Sequence, residues 1–154
     1  ANVGGVSGEN IVAMCDVDEN KAGSRFQQFD KARKFQDYRV MLDKLGKEID
    51  AVVISTPDHT HFHPARQAML MGKHVYCEKP LAHTAWECRQ LTLIAEKMGV
   101  ATQLGNQRHA NAGMARAVEA VQSGMVGKIT EVYTAVGGSR GMPAEPKEFP
   151  AVPG

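Results

Sequence analysis

Four short polar clusters in this chain each follow directly on an apolar run. Asp16 follows Ile11-Val12-Ala13-Met14-Cys15, and Thr56-Pro57-Asp58-His59 follows Ala51-Val52-Val53-Ile54-Ser55. Glu78-Lys79-Pro80 follows His74-Val75-Tyr76-Cys77, and Gly105-Asn106-Gln107-Arg108 follows Val100 to Leu104. The clusters hold carboxylates, an ammonium, an imidazole and amides, groups able to bind hydroxyls and relay protons. A second chemistry is suggested by His59-Thr60-His61-Phe62-His63, whose alternation on a strand would place three zinc-type ligands on one face. These histidines, however, come after the strand that Pro57 ends and lead into a helical stretch, where residues two apart do not face each other. No further Asp, Glu or His completes a ligand set at recognisable spacing, so no metal site is expected. Cys15, Cys77 and Cys88 form an odd set without C-x-x-C spacing and read as free thiols, mostly small buried hydrophobes.

The elements that must position these clusters can be read from periodicity. Ile11 to Cys15 is short, apolar and partly β-branched, which predicts a buried strand. Asp18 can cap a helix from Glu19 to about Arg33, with Ala22, Phe26 and Phe29 on one face; a short helix after Asp37 stops at Gly46. Asp50 to Ser55 is apolar throughout its middle, as a strand covered on both faces of a parallel sheet would be. A helix from about Thr60 to Met71, a strand His74 to Cys77, and a helix opened by the capping box Thr84-Ala85-Trp86-Glu87 and closed by Gly99 follow. Val100 to Leu104 is a further strand, about Asn111 to Ser123 a helix, and Ile129 to Val136 a last strand candidate. Strand and helix alternate with short connections. The expected fold is therefore α/β, a doubly wound parallel sheet of the Rossmann type, in which the strands starting at Ile11, Asp50, His74 and Val100 share one sheet. Ligands in such sheets bind beyond the carboxyl ends of the strands, where the four polar clusters fall.

Composition narrows the function classes. Net charge is +1, with 18 Lys and Arg scattered among 17 acidic residues, so no basic stripe is available to neutralise a phosphate backbone and nucleic acid is not an expected partner. No apolar run approaches the ~20 residues of a membrane helix, and no membrane partner is expected. Unpaired thiols fit a reducing compartment, so a cytoplasmic location is expected, with periplasmic export of a longer parent as the alternative.

The segment Gly72-Lys73-His74-Val75-Tyr76-Cys77-Glu78-Lys79-Pro80-Leu81-Ala82, preceded by Val53-Ile54-Ser55-Thr56-Pro57-Asp58-His59 and by the turn Cys15-Asp16-Val17-Asp18, resembles the Gfo/Idh/MocA family of oxidoreductases over residues from about Asn10 to Tyr133. The resemblance implies a nicotinamide-dependent oxidoreductase acting on a sugar, polyol or related hydroxyl or carbonyl compound. It assigns Asp16 to the adenosine ribose hydroxyls. A carboxylate at this strand end accepts from a 2′-hydroxyl and repels a 2′-phosphate, favouring NAD over NADP. By the same resemblance Thr56, Pro57 and His59 line the ribose and nicotinamide side, Glu78 sits beside the nicotinamide ribose, and Gln107, with Asn106 as a weaker candidate, lies near the nicotinamide. Lys79 would reach the reacting oxygen as the catalytic residue on the substrate side. A cis peptide between Lys79 and Pro80 is also implied, and a homo-oligomeric full-length parent.

The sequence departs from the family in one respect. The Gly-x-Gly-x-x-Gly fingerprint that receives the pyrophosphate on a first strand and helix is not found. Gly4-Gly5-Val6-Ser7-Gly8 has no strand before it and is read as a loop into the strand at Ile11. The expected organisation is an incomplete dinucleotide-binding domain over residues 1–124 and the beginning of a C-terminal substrate and oligomerisation domain, α+β in class, over 125–154. Without the fingerprint, dinucleotide affinity should fall by several kcal/mol, since hydrogen bonds to charged groups contribute ~1.5–3 kcal/mol each. The alternatives to a dehydrogenase are an inactive fragment or interaction module of such an enzyme, or a family glycosidase using transient NAD-dependent oxidation.

Overall fold

The structure is a computed structural model that describes residues 2–134. The chain clusters into two units, Ala1–Asn111 and Ala112–Gly154. The first contains every strand found among the described residues, and all of these pair in parallel: β1 (Ala13–Cys15) with β2 (Arg33–Phe35), and β3 (Ala51–Ile54) with β4 (His74–Glu78), which also pairs with β5 (Thr102–Gly105).

Local chemistry accounts for the helices between them. The Asp18 carboxylate accepts from the backbone N–H of Asn20 and Lys21 and starts α1 (Glu19–Gln28); Asp37 does the same for α2 (Tyr38–Leu45) through the Arg39 amide. Between β3 and β4 lies α3 (Phe62–Leu70), preceded by a 3-10 turn at Asp58–Thr60. The capping box before α4 (Ala85–Met98) is complete, the Thr84 hydroxyl accepting from the Glu87 N–H while the Glu87 carboxylate accepts from the Thr84 N–H. Gly99 ends α4 in the left-handed region at φ 63°, which a residue with a Cβ seldom adopts. In the second unit the described element is α5 (Ala112–Gln122).

The core lies around β3, β4 and the helices α2, α3 and α4, where Leu42, Ile54, Ala65, Ala68, Met69, Val75, Cys77 and Leu91 are buried. Burying each of the larger side chains contributes roughly 1.5–3 kcal/mol, so this half supplies most of the hydrophobic stabilisation. Val12, Ala13, Cys15 and Phe35 pack at its margin and are only half-buried.

Four expectations need correction. The helix from Glu19 does not reach Arg33: it ends at Gln28, and Arg33–Phe35 pairs with β1 through bonds such as Arg33 N–H to the Val12 carbonyl. Three residues are too few to display strand periodicity, and backbone pairing overrides local preference. Nor do the strands form one sheet. The common doubly wound order 3-2-1-4-5-6 places a strand between those that appear here as β1 and β3, and that central position has no counterpart among the described residues. Third, β3 is not covered on both faces, since Ala51 and Val53 are exposed. Fourth, residues 129–134 form no strand, and 135–136 lie outside the described residues. Of the stretch Gly4 to Gly8, read as a loop, Gly4 to Val6 belong to a short 3-10 helix, Asn2–Val6. The Lys79–Pro80 peptide is cis, as the resemblance implies.

Candidate functional site

Because β3, β4 and β5 run in parallel, their carboxyl ends meet on one edge. The register pairs Ile54 with Cys77, Cys77 with Leu104 and Glu78 with Gly105, so the residues that follow β3 and β5 flank Glu78. Glu78 is the last residue of β4 and is half-buried, whereas Lys79 beside it is exposed and free to meet a ligand.

The Glu78 carboxylate is the centre of a polar network. Its Oε1 accepts from the side-chain amides of Gln107 and Asn2. Gln107 Nε2 also donates to the Tyr76 hydroxyl at 3.2 Å, and Asn2 Nδ2 donates to Ser55 Oγ at 2.8 Å. Beneath it lies Gly105, buried, where a Cβ would stand 2.7 Å from Glu78 Oε1 and 2.9 Å from the Tyr76 hydroxyl oxygen. Only glycine lets the carboxylate lie across the end of β5. Two amide donors share one oxygen, and among the described residues the other accepts no hydrogen bond, an arrangement suited to accepting from hydroxyls of a ligand.

The remaining expected residues stand at strand ends without joining this network directly. Asp16 follows β1; its Oδ1 accepts from the Asp18 N–H at 2.9 Å, its own N–H donates to the Phe35 carbonyl, and its side chain is exposed. Thr56, Pro57 and His59 follow β3 and are exposed, with the 3-10 turn held by bonds from the Thr60 N–H and hydroxyl to the Pro57 carbonyl. The three alternating histidines do not converge: His59 and His63 are exposed while His61 is fully buried. Among the described residues no group of three or more His, Cys, Asp or Glu could hold a metal ion.

Two thiols near the strand ends are kept neutral. Burial, and then the adjacent Glu78 carboxylate, pushes Cys77 up to about 11. Burial, followed by Asp37 and Asp16, pushes Cys15 up to about 11. Neither is a nucleophile near neutral pH.

Sequence reasoning missed Asn2, Ser55 and Tyr76, and it gave neither Gly105, named in a polar cluster, nor His61, weighed as a metal ligand, the place each has here. Tyr76 and Ser55 carried a usable signal, lying next to a predicted strand end; the others depend on contacts made at long range.

A dinucleotide fits part of this edge. Asp16 at the end of β1 and the Glu78–Gln107 pair at the end of β4 offer acceptors and amides, and Gly105 leaves room for the Glu78 carboxylate. Among the described residues Gly4, Gly5 and Gly8 do not supply a pyrophosphate loop, having neither positive φ nor a close neighbour that would require glycine. Among the described residues no helix is long and apolar enough to cross a membrane.

Comparison with known proteins shows the family. Residues 3–106 match the family model of the Gfo/Idh/MocA oxidoreductases, described as an oxidoreductase family with an NAD-binding Rossmann fold. The inositol 2-dehydrogenase of Salmonella typhimurium is 30% identical over 130 residues, covering 83% of this chain and 38% of that protein. Among solved structures, the myo-inositol 2-dehydrogenase of Lactobacillus plantarum superposes with a TM-score of 0.71 at 28% identity over 79% of this chain and 36% of that one. The WlbA dehydrogenase of Bordetella pertussis, solved with NADH and UDP-GlcNAcA, gives a TM-score of 0.67 at 26% identity over 76% of this chain and 33% of that one. This chain thus spans well under half the length of these relatives. By the family match and the parallel α/β architecture together, the chain belongs to the Gfo/Idh/MocA oxidoreductases, enzymes built on an NAD-binding Rossmann fold.

Proposed function

We propose that the protein containing this chain oxidises or reduces a sugar, polyol or related hydroxyl or carbonyl compound, and that the edge formed by β3, β4 and β5 is its nicotinamide side. The observation that supports this most is the Glu78 network, a half-buried carboxylate held by Gln107 and Asn2 next to an exposed lysine. When bound, NAD supplies a two-electron acceptor for the hydride of a substrate carbinol.

In this reading Glu78 accepts from ribose hydroxyls with its free oxygen, and Gln107 fixes its orientation. Asp16 accepts from the adenosine ribose and disfavours a 2′-phosphate, so NAD is preferred to NADP. Thr56, Pro57 and His59 line the ribose and nicotinamide flank. Lys79, exposed beside Glu78, donates to or takes a proton from the substrate oxygen as that oxygen changes between hydroxyl and carbonyl. Residues 125–154 then begin the domain that binds substrate and mediates homo-oligomer contacts.

Kinetics of the full-length parent test the assignment. Lys79→Ala should lower kcat on the order of 100-fold to 10,000-fold while leaving the NAD dissociation constant nearly unchanged. Asp16→Ala should instead weaken NAD binding and narrow the preference over NADP. Unaltered turnover in the Lys79 variant would remove the mechanism.

A further inference from the structure

His61 is the buried polar side chain among the described residues, fully shielded from solvent. It occupies the N-cap position of α3 but makes no capping bond. Its ring instead reaches out of the helix in two directions. Nδ1 lies 2.6 Å from the Pro80 carbonyl oxygen, in the loop after β4, and Nε2 lies 2.9 Å from the Thr56 carbonyl oxygen, in the loop after β3. A carbonyl oxygen only accepts, so each contact needs an N–H. A neutral imidazole carries one N–H and the imidazolium carries two.

The titratable and charged groups on the surrounding elements do not compete for the ring. Asp58 and His59 on the 3-10 turn, and His63 and Arg66 on α3, are exposed and make no hydrogen bond to it. At the end of β4, Glu78 is taken by Gln107 and Asn2, and Lys79 points to solvent. At the start of α4, His83 is exposed and the Glu87 carboxylate is taken by the amides of His83 and Thr84. Burial and the N-terminus of α3 both oppose a positive charge on the ring, and two donated bonds favour it. The second bond therefore exists only while the ring holds its second proton.

We propose that His61 is a positioning residue, a proton-dependent staple that ties the Thr56–His59 turn behind β3 to the Lys79–Pro80 loop behind β4. The shorter bond, Nδ1 to Pro80, remains in the neutral ring. Loss of the proton from Nε2 frees the Thr56 carbonyl and lets the turn after β3 move relative to Lys79. The roles of the residues so aligned rest on the function proposed above; the staple itself does not.

Ring and amide NMR of the 15N-labelled chain, recorded without NAD across a pH series, tests this. Both His61 ring nitrogens should read as protonated at acidic pH. As pH rises, Nε2 should lose its proton while Nδ1 keeps it, and the amides of Thr56 to Thr60 should shift with the same midpoint while those of Leu81 and Ala82 shift less. In His61→Gln that midpoint should vanish from the Thr56 amide. The proposal is overturned if Nε2 is unprotonated at every pH at which the chain is folded. It is equally overturned if the Thr56 shift persists in His61→Gln, or if the turn fails to follow the ring in the unsubstituted protein. Failure of NAD to bind would contradict the oxidoreductase reading and leave each of these resonances as expected here.

Discussion

The two sheets of the first unit use the same parallel βαβ connection and end up differently buried. In the sheet β3-β4-β5, Ile54, Val75 and Cys77 are buried and the Glu78 network spans the strand ends. In the sheet β1-β2 every residue is half-buried or exposed, and Asp16 stands exposed after β1. Depth follows from neighbours. β4 has a strand on each side and α3 against it, whereas β1 has one bonded partner. The difference teaches that chemistry needing a fixed carboxylate is placed where the sheet is continuous, and that the weaker pair contributes a single exposed acceptor.

Core truncation offers the largest test of this asymmetry. Leu91→Ala, at a site only 2% exposed, should cost about 2–5 kcal/mol in urea unfolding. Val12→Ala, at the margin beside β1, should cost about 1 kcal/mol or less, because a half-buried side chain leaves little cavity. Equal costs would erase the distinction between the halves.

Next is Gly105→Ala. A Cβ at 2.7 Å from Glu78 Oε1 must displace the carboxylate, and overpacking of this kind costs about 1–3 kcal/mol. Gly5→Ala, which meets nothing within 4 Å, should leave the melting temperature almost unchanged. Comparable shifts in both variants would show that the network end is no tighter than the N-terminal turn.

Smaller again is the loss of the α4 cap. Thr84→Ala removes the acceptor for the Glu87 amide and should cost about 1 kcal/mol, read from thermal melts.

A last comparison sets the two raised thiols side by side. Both Cys15 and Cys77 ionise only at about 11, raised from 9.0, so the thiol is favoured by the fold. The sign follows: the stability this provides is present below about 9, where the unfolded thiol is still protonated, and is lost as pH rises through about 11. Unfolding between these limits should show declining stability. Iodoacetamide at pH 8 should label half-buried Cys15 faster than Cys77, which is 2% exposed. Faster labelling of Cys77 would mean that β4 opens more readily than β1.

Much of the deep half was legible in the sequence, because its signals are local. The apolar run before Ser55, the capping box at Thr84 and Glu87, and the Gly99 stop each act within a few residues. Glu78 and Lys79 were legible as a strand end. What escaped was set by contacts distant in sequence. β2 exists because the Val12 carbonyl accepts from the Arg33 N–H and the Asp16 N–H donates to the Phe35 carbonyl, and no periodicity in three residues records that. Asn2 reaches Glu78 across 76 positions, and Gly105 is needed only because a carboxylate from another strand lies over it. His61 looked like one of three equivalent histidines until burial separated it from the other two.

The central claim is that the carboxyl ends of β3, β4 and β5 form the nicotinamide side of a dinucleotide site. Amide NMR of the 15N-labelled chain titrated with millimolar NAD tests it most directly, since even weak binding moves resonances. Shifts should concentrate at Thr56 to His59, Glu78, Lys79 and Gln107, with a second group at Asp16, and little change along α2. Shifts confined to other surfaces, or none at these residues with NAD in large excess, would contradict it.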